Sequence, residues 1–407
     1  MKAAVLTVGT EILFGSIVNT NAVFISKQLQ ELGLDVMYHM TVGDNSTRLK
    51  EMLAELYKDC DLVITTGGLG PTEDDLTKET IAEFFGTENK LREEELEVLK
   101  ARFKVIGREM SENNLKQAYF PVGAVTLPNP NGTAPGFRLE KDGRIIIAMP
   151  GPPRETEPMF VDHVRPYLLS LQNSHLYYRF IKTYDIGESD LETRLLPLID
   201  GQTDPSFATY CQPHESYLRI ASKRATEEEA KAAVEDAVVK VRELIGDHIY
   251  SEDGEELSDM VLRILLEKGI SISSTESMTG GLFAATVCSY PGISAVFDRS
   301  IVTYSNNAKM QELGVKAETL DKYTAVSEEV AFEMAEGLYK KTGSDICISV
   351  TGYAGPDGEN VGLYYVGLCC KGRTTVKRHK ARPMGRQYIR NHAVREMFLD
   401  IYKNCIK

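Results

Sequence analysis

Glycines and acidic residues cluster between positions 62 and 77, in the stretch LVITTGGLGPTEDDLT. An apolar run opens this stretch and predicts a buried strand, while the pattern from Thr77 onward predicts a helix. Gly67, Gly68 and Gly70 lie between the two, and backbone N–H groups can approach an anion closely where side chains are missing. A strand that enters a helix through such a turn is typical of a phosphate site.

Two adjacent carboxylates, Asp74 and Asp75, follow these glycines. Carboxylates beside a phosphate would repel it unless a divalent cation lay between them, so the pair indicates a Mg²⁺-like ion with few protein ligands. Thr72, in the same loop, is a further candidate for substrate binding. The alternative is a tight turn with acidic residues at the helix N-terminus. The combination of glycines, acids and strand–helix context favours the phosphate site.

The elements that must position this loop alternate between strand and helix. Apolar patterning predicts strands at 2–8, 36–42 and 62–65 and helices at 21–32 and 47–57. This alternation implies a parallel sheet with helices on both faces, whose ligands bind beyond the carboxyl ends of the strands. The loops after the strands should therefore meet, and besides the glycine loop they bring Gly9, Glu11 and Asp44 to one site.

A second group of turn residues, PNPNGTAPG, precedes a strand predicted at 144–148 and the segment MPGPPRE. The Pro/Gly run forms either a rigid connector or a wall of the ligand site. Glu155, at the end of that segment, is either part of the site or an acid at a helix N-terminus, and Glu11 has the same two interpretations.

Composition excludes several classes of function. With 407 residues the chain is long enough for several domains, and 43% hydrophobic and 26% charged residues are typical of a soluble globular protein. A net charge of −13 disfavours nonspecific binding to nucleic acids or anionic membranes. The sequence predicts neither a signal peptide nor a membrane span, and seven cysteines without CxxC spacing indicate reduced thiols in the cytoplasm.

The remaining chain predicts a small α+β unit and then a second α/β section. The small unit carries strands at 177–183, 207–211 and 217–221 and a long helix at 226–244. Because it has no run of basic residues, a role as spacer or dimerisation module is favoured over RNA binding. After the acidic link SEDGEEL, strand and helix patterns alternate again to the end of the chain.

The motifs at both ends, taken together, resemble one bacterial family, the competence/damage-inducible protein CinA. The residues that carry the resemblance are GTEIL, VGDN, TTGGLGPT, NGTAPG and MPGPP in the first section and TES, VTYSN, AVSEEVA and AGPDG in the last. They occur in the same order over nearly the whole chain. The resemblance implies an α/β multidomain chain: a molybdopterin-binding-like domain over 1–172, a KH-type domain over 173–250 and an amidohydrolase domain over 251–407.

For the first domain, the resemblance implies hydrolysis of ADP-ribose at its pyrophosphate with a divalent metal (Mg, Mn or Co). Asp75 stands at the position of the family's acid and is the expected metal ligand, with Asp74 beside it. A bound cation would neutralise the pyrophosphate before water attacks it. The middle domain lacks a GxxG phosphate clamp, and this supports a structural role.

The last domain resembles nicotinamide-mononucleotide amidohydrolases, which form nicotinate mononucleotide and ammonia in pyridine-nucleotide recycling. Ser277 is the expected nucleophile, because free N–H groups at a helix start could hold an oxyanion. Its alternative role is a helix cap. Lys309, with Tyr304, is the expected base, and this domain is expected to need no cofactor. Phosphate or substrate would meet the following residues: Gly280, Gly281, Thr351, Gly352, Gly355, Asp357, Arg386 and Arg390.

The chain departs from the family pattern at four places. Ser300 and Thr324 stand where glycine is usual, and the segment after AGPDG carries Glu359 and Tyr364-Tyr365. The resemblance also implies a homodimer. Two other functions remain open: molybdenum-cofactor biosynthesis, and a nucleotide- or molybdopterin-binding adaptor in competence or DNA damage without catalysis. The acidic charge argues against direct DNA contact.

Overall fold

The computed structural model describes residues 1–172 and 174–407, so position 173, where the predicted middle domain begins, lies outside the described residues. The chain divides into two compact units, residues 1–177 with 222–231 and residues 178–221 with 232–407. The prediction of an α/β multidomain chain is confirmed. In the described residues no helix is both long and apolar enough to cross a membrane.

The N-terminal domain is a six-stranded sheet in the order β2-β1-β3-β8-β7-β6. Its strands are β1 (Lys2–Val8), β2 (Asp35–Val42), β3 (Leu62–Thr66), β6 (Val125–Leu127), β7 (Gly136–Lys141) and β8 (Arg144–Met149), and β4 (Asn89–Leu91) pairs separately with β5 (Tyr119–Pro121). Its helices are α1 (Thr10–Leu13), α2 (Thr20–Glu31), α3 (Ser46–Leu56), α4 (Thr77–Phe84), α5 (Glu93–Val105), α6 (Pro153–Met159) and α7 (Arg165–Ser170).

Alternating residues of the central strands fill two cores, one on each face of this sheet. Leu6 and Val63 belong to the core on one face, while Val5 and Ile64 belong to the core on the other. A strand that is buried on both faces has a nearly continuous apolar sequence. This pattern made the central strands predictable. β1, β2, β3 and β8 are parallel as expected, but β7 and β6 run antiparallel at the edge and were not predicted.

The middle section forms a four-stranded sheet in the order β10-β11-β9-β12. Its elements are β9 (His175–Thr183), α8 (Glu188–Ile199), β10 (Ser206–Gln212), β11 (Glu215–Arg224), α9 (Glu227–Ile245) and β12 (Ile249–Ser251). The predicted strands and helices all occur here, with β12 as an addition.

The C-terminal domain is a five-stranded sheet in the order β14-β13-β15-β16-β17, with β16 and β17 antiparallel. The strands are β13 (Ile272–Glu276), β14 (Phe297–Val302), β15 (Ile346–Gly352), β16 (Leu363–Cys370) and β17 (Arg373–Lys380). The helices are α10 (Leu257–Lys268), α11 (Leu282–Cys288), α12 (Asn306–Leu313), α13 (Ala317–Tyr323), α14 (Glu328–Thr342) and α15 (Arg386–Ile401). The apolar pattern of the sequence predicts a strand at 270–274. The strand β13 ends two residues later, which places Glu276 on the strand and Ser277 directly after it.

Candidate active sites

Four loops at the carboxyl ends of β1, β2, β3 and β8 surround one cavity of about 530 Å³. Nearly all the predicted site residues of this domain line it: Gly9, Glu11, Asp44, Gly67, Gly68, Gly70, Asp74, Asp75 and Glu155. Thr72 lies on the other side of its loop, in a groove with Glu73 and Lys116. The structure thus brings the predicted carboxylates and glycines together.

The Asp75 carboxylate is held in place by its own loop. Its Oδ2 accepts a hydrogen bond from the Thr72 N–H at 2.9 Å and another from the Thr72 hydroxyl. A Cβ on Gly70 would collide with this carboxylate, so glycine is required there for space. Thr72 therefore serves as a support of Asp75.

The backbone amides of the glycine loop divide into two kinds. The Gly67 N–H donates to the Met149 carbonyl at 3.0 Å and is not available to a ligand. The N–H groups of Gly68, Leu69 and Gly70 donate to no backbone carbonyl within residues 1–172 and 174–407. These three N–H groups could therefore donate hydrogen bonds to a phosphate oxygen.

Asp44 and Glu155 are also tied to neighbouring loops. Asp44 Oδ2 accepts from the Thr10 N–H at 3.0 Å and the Thr10 hydroxyl at 2.8 Å, which joins the loops after β1 and β2. Glu155 is buried and accepts from Asn129 Nδ2 at 2.8 Å. Because Asn129 lies 26 residues earlier in the chain, no local sequence signal could have identified it.

Two buried polar atoms of the cavity form no hydrogen bond with the described residues. The Thr66 hydroxyl and the Asn21 Oδ1 have no hydrogen-bond partner among the described residues, and both residues line the cavity. Buried polar groups are normally satisfied, so these atoms indicate a polar ligand. Over the same described residues, no group of three or more His, Cys, Asp or Glu side chains is arranged as a complete metal site.

In the C-terminal domain, Ser277 and Lys309 form a buried pair. Ser277 follows β13, and its N–H continues the sheet by donating to the Val350 carbonyl at 3.0 Å. Lys309 on α12 is 1% exposed. Its Nζ donates to Ser277 Oγ at 3.0 Å and to the Thr303 carbonyl at 2.8 Å. Burial lowers the pKa of Lys309 to about 8, so its amine can lose a proton near neutral pH.

The Tyr304 side chain is exposed, unlike that of Lys309. Its side chain is 61% exposed, and its hydroxyl accepts from Arg386 at 3.0 Å. Only its backbone carbonyl approaches the Lys309 amine, at 3.4 Å. The geometry therefore gives the position of a base to Lys309 alone, and it groups Tyr304 with Arg386 at the mouth of the site.

Glu276 was missed by the sequence analysis and changes the expected oxyanion site. Its fully buried carboxylate accepts from the N–H groups of Gly281, Phe283 and Ala284 at 2.9–3.1 Å. These N–H groups, expected to be free, are therefore occupied. An acid directly before a glycine-rich helix start is a usual partner of the helix dipole, and this signal could have identified Glu276.

Thr279 and two arginines of α15 are further polar residues of this site. The Thr279 hydroxyl is buried and, in the described part of the chain, has no hydrogen-bond partner. Arg390 Nε donates to the Thr279 carbonyl at 3.1 Å, and Arg386 donates to the Gly355 carbonyl at 2.8 Å. The two arginines, one turn apart on α15, thus hold the loops that contain Thr279 and Gly355.

The remaining predicted wall residues act through packing. The Thr351 hydroxyl donates to the Ala325 carbonyl at 2.7 Å, which fixes the loop before α14. A side chain at Gly352 would collide with Met278, the residue after Ser277. Asp357 is exposed in the AGPDG turn.

Three family models match successive parts of the chain. Residues 4–170 match the family model described as Probable molybdopterin binding domain, 178–251 match Damage-inducible protein CinA KH domain, and 254–405 match CinA C-terminal domain. Relatives named competence-damage inducible protein include one from Clostridium botulinum strain Loch Maree, 46% identical over 410 residues with 100% of both chains covered. Another, from Clostridioides difficile strain 630, is 46% identical over 412 residues with 98% of both covered. The chain belongs to the competence-damage inducible (CinA) protein family.

Solved structures match parts of the chain. The crystal structure of the protein CinA from Thermoplasma acidophilum is 36% identical, covers 40% of this chain and 96% of its own, and has a TM-score of 0.38. The competence damage-inducible protein A of Klebsiella pneumoniae is 35% identical, covers 36% of this chain and 94% of its own, and has a TM-score of 0.35.

Proposed function

We propose that this chain is a hydrolase of pyridine nucleotides with two sites. The C-terminal site removes ammonia from nicotinamide mononucleotide, and the N-terminal site cleaves the pyrophosphate of ADP-ribose with a divalent cation. The observation that carries the proposal is the buried contact of Lys309 Nζ with Ser277 Oγ at 3.0 Å. Among residues 1–172 and 174–407, Lys309 forms no ion pair with a carboxylate. Such a lysine, with a pKa near 8, suits a base that activates a serine.

The amide hydrolysis proceeds in two steps. Ser277 Oγ attacks the carboxamide carbon while Lys309 takes the hydroxyl proton. Lys309 then returns this proton to the amide nitrogen, which leaves as ammonia. The resulting ester is attacked by water, whose proton Lys309 accepts, and Ser277 regains a proton as nicotinate mononucleotide is released. The Thr279 hydroxyl, two residues after Ser277 and without a hydrogen-bond partner in the described residues, would donate to the charge that develops on the carbonyl oxygen.

In the N-terminal site, the residues present fit a cation with few protein ligands. The free oxygen of Asp75 and the neighbouring Asp74 would hold it, and the cation would neutralise the pyrophosphate charge. The free amides after Gly67 bind phosphate oxygens, and Glu155, fixed by Asn129, orients water or a ribose hydroxyl. The unpartnered Thr66 and Asn21 oxygens supply further hydrogen bonds to the substrate.

The test is to assay both nucleotides, with and without Mg²⁺, in the wild type and matched variants. Ser277→Ala should lower ammonia release at least about 10³-fold, whereas Ser289→Ala, an exposed serine at the end of α11, should not. Asp75→Asn should abolish ADP-ribose cleavage, whereas Glu73→Gln, an acid of the same run outside the cavity, should not. Wild-type rates in Ser277→Ala or Asp75→Asn would refute the corresponding half.

Two outcomes of the same assays would favour the other functions. Tight pterin binding without cleavage of ADP-ribose would favour molybdenum-cofactor biosynthesis. Nucleotide binding without turnover at either site would favour an adaptor.

A further inference from the structure

The turn between β10 and β11 contacts the helix that holds the loops of the C-terminal site. Two residues, Pro213 and His214, join these strands, and the strand register pairs Gln212 with Glu215. This hairpin turn, residues 212–215, belongs to the same compact unit as α15. Neither proposed reaction uses the middle section of the chain that carries it.

His214 occupies a backbone position that normally suits glycine. Its φ is 81°, and a two-residue turn with proline first and a positive φ second has the pattern of a type II turn. Glycine adopts such a φ without steric conflict, whereas the buried Nδ1 of His214 has no hydrogen-bond partner among the described residues. A side chain kept at such a backbone position points to a function for that side chain.

The His214 ring packs against two aromatic residues of α15. Its centroid lies 4.2 Å from that of Tyr388 and 5.1 Å from that of His392. Burial lowers the pKa of His214 to about 4, so the ring is uncharged at neutral pH. His392 Nδ1 lies 2.7 Å from the hydroxyl of the buried Tyr364 on β16. The hairpin turn is thus packed onto the helix, and the helix onto the sheet.

An ion pair is the second contact between the hairpin turn and α15. Glu215 Oε2 lies 3.7 Å from Arg395. Lys182 on β9 and the Tyr250 hydroxyl on β12 donate to the same carboxylate at 2.8 and 2.7 Å. The side chains of Glu215 and Lys182 are only 7% and 6% exposed, so water screens these contacts little. The sheet of the middle section therefore fixes Glu215, and Glu215 fixes the helix.

The residues that meet the hairpin turn and the arginines of the site lie on opposite faces of α15. Tyr388, His392 and Arg395 are spaced four and three residues apart, which places them on one face of a helix. Arg386 and Arg390 each lie two positions before an aromatic residue of that face. Two positions turn a helix by about 200°, so these arginines are on the other face.

The arginines connect this helix to the C-terminal site. Arg386 donates to the Gly355 carbonyl at 2.8 Å, and Arg390 Nε donates to the Thr279 carbonyl at 3.1 Å. A shift of α15 moves both donors, and a misplacement of about 1 Å can cost about 10²-fold in rate. We infer that His214 is a positioning residue of the C-terminal site, which acts through α15 on these two loops. This inference rests on the proposed deamidation and gives the middle section a part in it.

The test compares His214→Gly with Asp142→Gly, which makes the same kind of change at a positive φ in the turn between β7 and β8. Glycine accepts a positive φ, so both variants should fold. His214→Gly should lower kcat/KM for ammonia release from nicotinamide mononucleotide at least about tenfold. Asp142→Gly should leave it unchanged. Wild-type kcat/KM in His214→Gly would overturn the inference.

Substitutions on α15 test whether the ring contact is responsible. Tyr388→Ala should reproduce the loss, whereas Tyr388→Phe, which keeps the ring, should stay within about twofold of the wild type. His214→Gly and Tyr388→Ala remove the same contact, so the double variant should lose no more than about twofold beyond either single variant. Equal losses in Tyr388→Phe and Tyr388→Ala, or additive losses in the double variant, would contradict a positioning role of the ring.

Hydrogen exchange without substrate separates this inference from the proposed reaction. If the wild type releases no ammonia, the proposed deamidation fails, but exchange still reports how firmly the loops are held. Faster exchange around 277–281 and 353–357 in His214→Gly and Tyr388→Ala, with Asp142→Gly like the wild type, would support the positioning role. Exchange equal to the wild type in all three variants would refute it.

Discussion

At the residue scale, the proposed role of Lys309 as a base predicts the pH dependence of ammonia release. Its pKa is lowered to about 8 by burial, and only the unprotonated amine can accept the Ser277 proton. We expect kcat/KM to rise about tenfold per pH unit below pH 8 and to level off above it. A pH series measures this, with Lys309→Met inactive and Lys316→Met, at an exposed lysine, unchanged. A midpoint near the ordinary lysine value of 10.5 would contradict the assignment.

Thr324 provides a second prediction at this scale. It ends α13 with φ 64° and ψ 169°, a backbone region that is essentially restricted to glycine and costs about 1–3 kcal/mol for other residues. Glycine is the residue expected there from the resemblance. Because glycine costs only about 0.5–1 kcal/mol in backbone entropy, Thr324→Gly should raise the Tm of the C-terminal domain by roughly 2–4 °C.

Calorimetry measures this shift, and Lys322→Gly is the matched control. Lys322 lies within α13, where glycine weakens the helix, so the control should lower the Tm. Equal effects of the two substitutions would show that Thr324 is not strained.

Single residues were predictable where their role is local. The sequence singled out Ser277, Lys309 and Asp75 from motifs and the resemblance; the structure places Lys309 beside Ser277 and Asp75 in the N-terminal cavity, and their chemical roles stay predictions. The sequence could not identify supports that come from distant segments: Asn129, which holds Glu155, and Lys116, which lies 41 residues from Asp75. Such contacts depend on packing between segments, which a linear pattern does not contain.

At the scale of elements, a 3-10 helix, Glu112–Ala118, contacts the loop that carries Asp75. Lys116 Nζ donates to the Thr72 carbonyl at 3.1 Å and to the Asp75 carbonyl. Loss of such an outer contact typically costs about 10–100-fold in metal affinity or activity. We therefore expect Lys116→Met to raise the Mg²⁺ concentration needed for half-maximal ADP-ribose cleavage by at least about tenfold.

Metal titrations of the activity measure this effect. Lys100→Met on α5, where the lysine is exposed, is the control and should behave as wild type. A change in thermal stability with an unchanged metal requirement would show that Lys116 only supports the fold.

The elements themselves were largely predictable, and the exceptions have physical causes. Central strands such as β3, which begins with Leu62-Val63-Ile64, are buried on both faces, so their patterns are strong. The edge strand β6 and its neighbour β7 were missed because Pro/Gly-rich sequence surrounds them. Helix α5 was missed as well, since consecutive glutamates at its start and few buried residues weaken its periodicity.

At the scale of the whole molecule, each candidate site is built from residues of one compact unit. Each unit also has its own buried core. A ligand protects the structure it binds, so ADP-ribose with Mg²⁺ should slow hydrogen exchange in the peptide around 67–75. Nicotinamide mononucleotide should instead slow it around 277–281. Protection of both peptides by either ligand alone would show that the sites are coupled.

The Ser277–Lys309 pair has a practical consequence for redox chemistry, because its reacting atoms are oxygen and nitrogen. Peroxides convert accessible thiols to sulfenic acids and disulfides, and Cys211 and Cys288 are exposed to such reagents. A hydroxyl and an amine do not follow that oxidation series. Deamidation should therefore continue in oxidising media that would inactivate an amidase with a cysteine nucleophile.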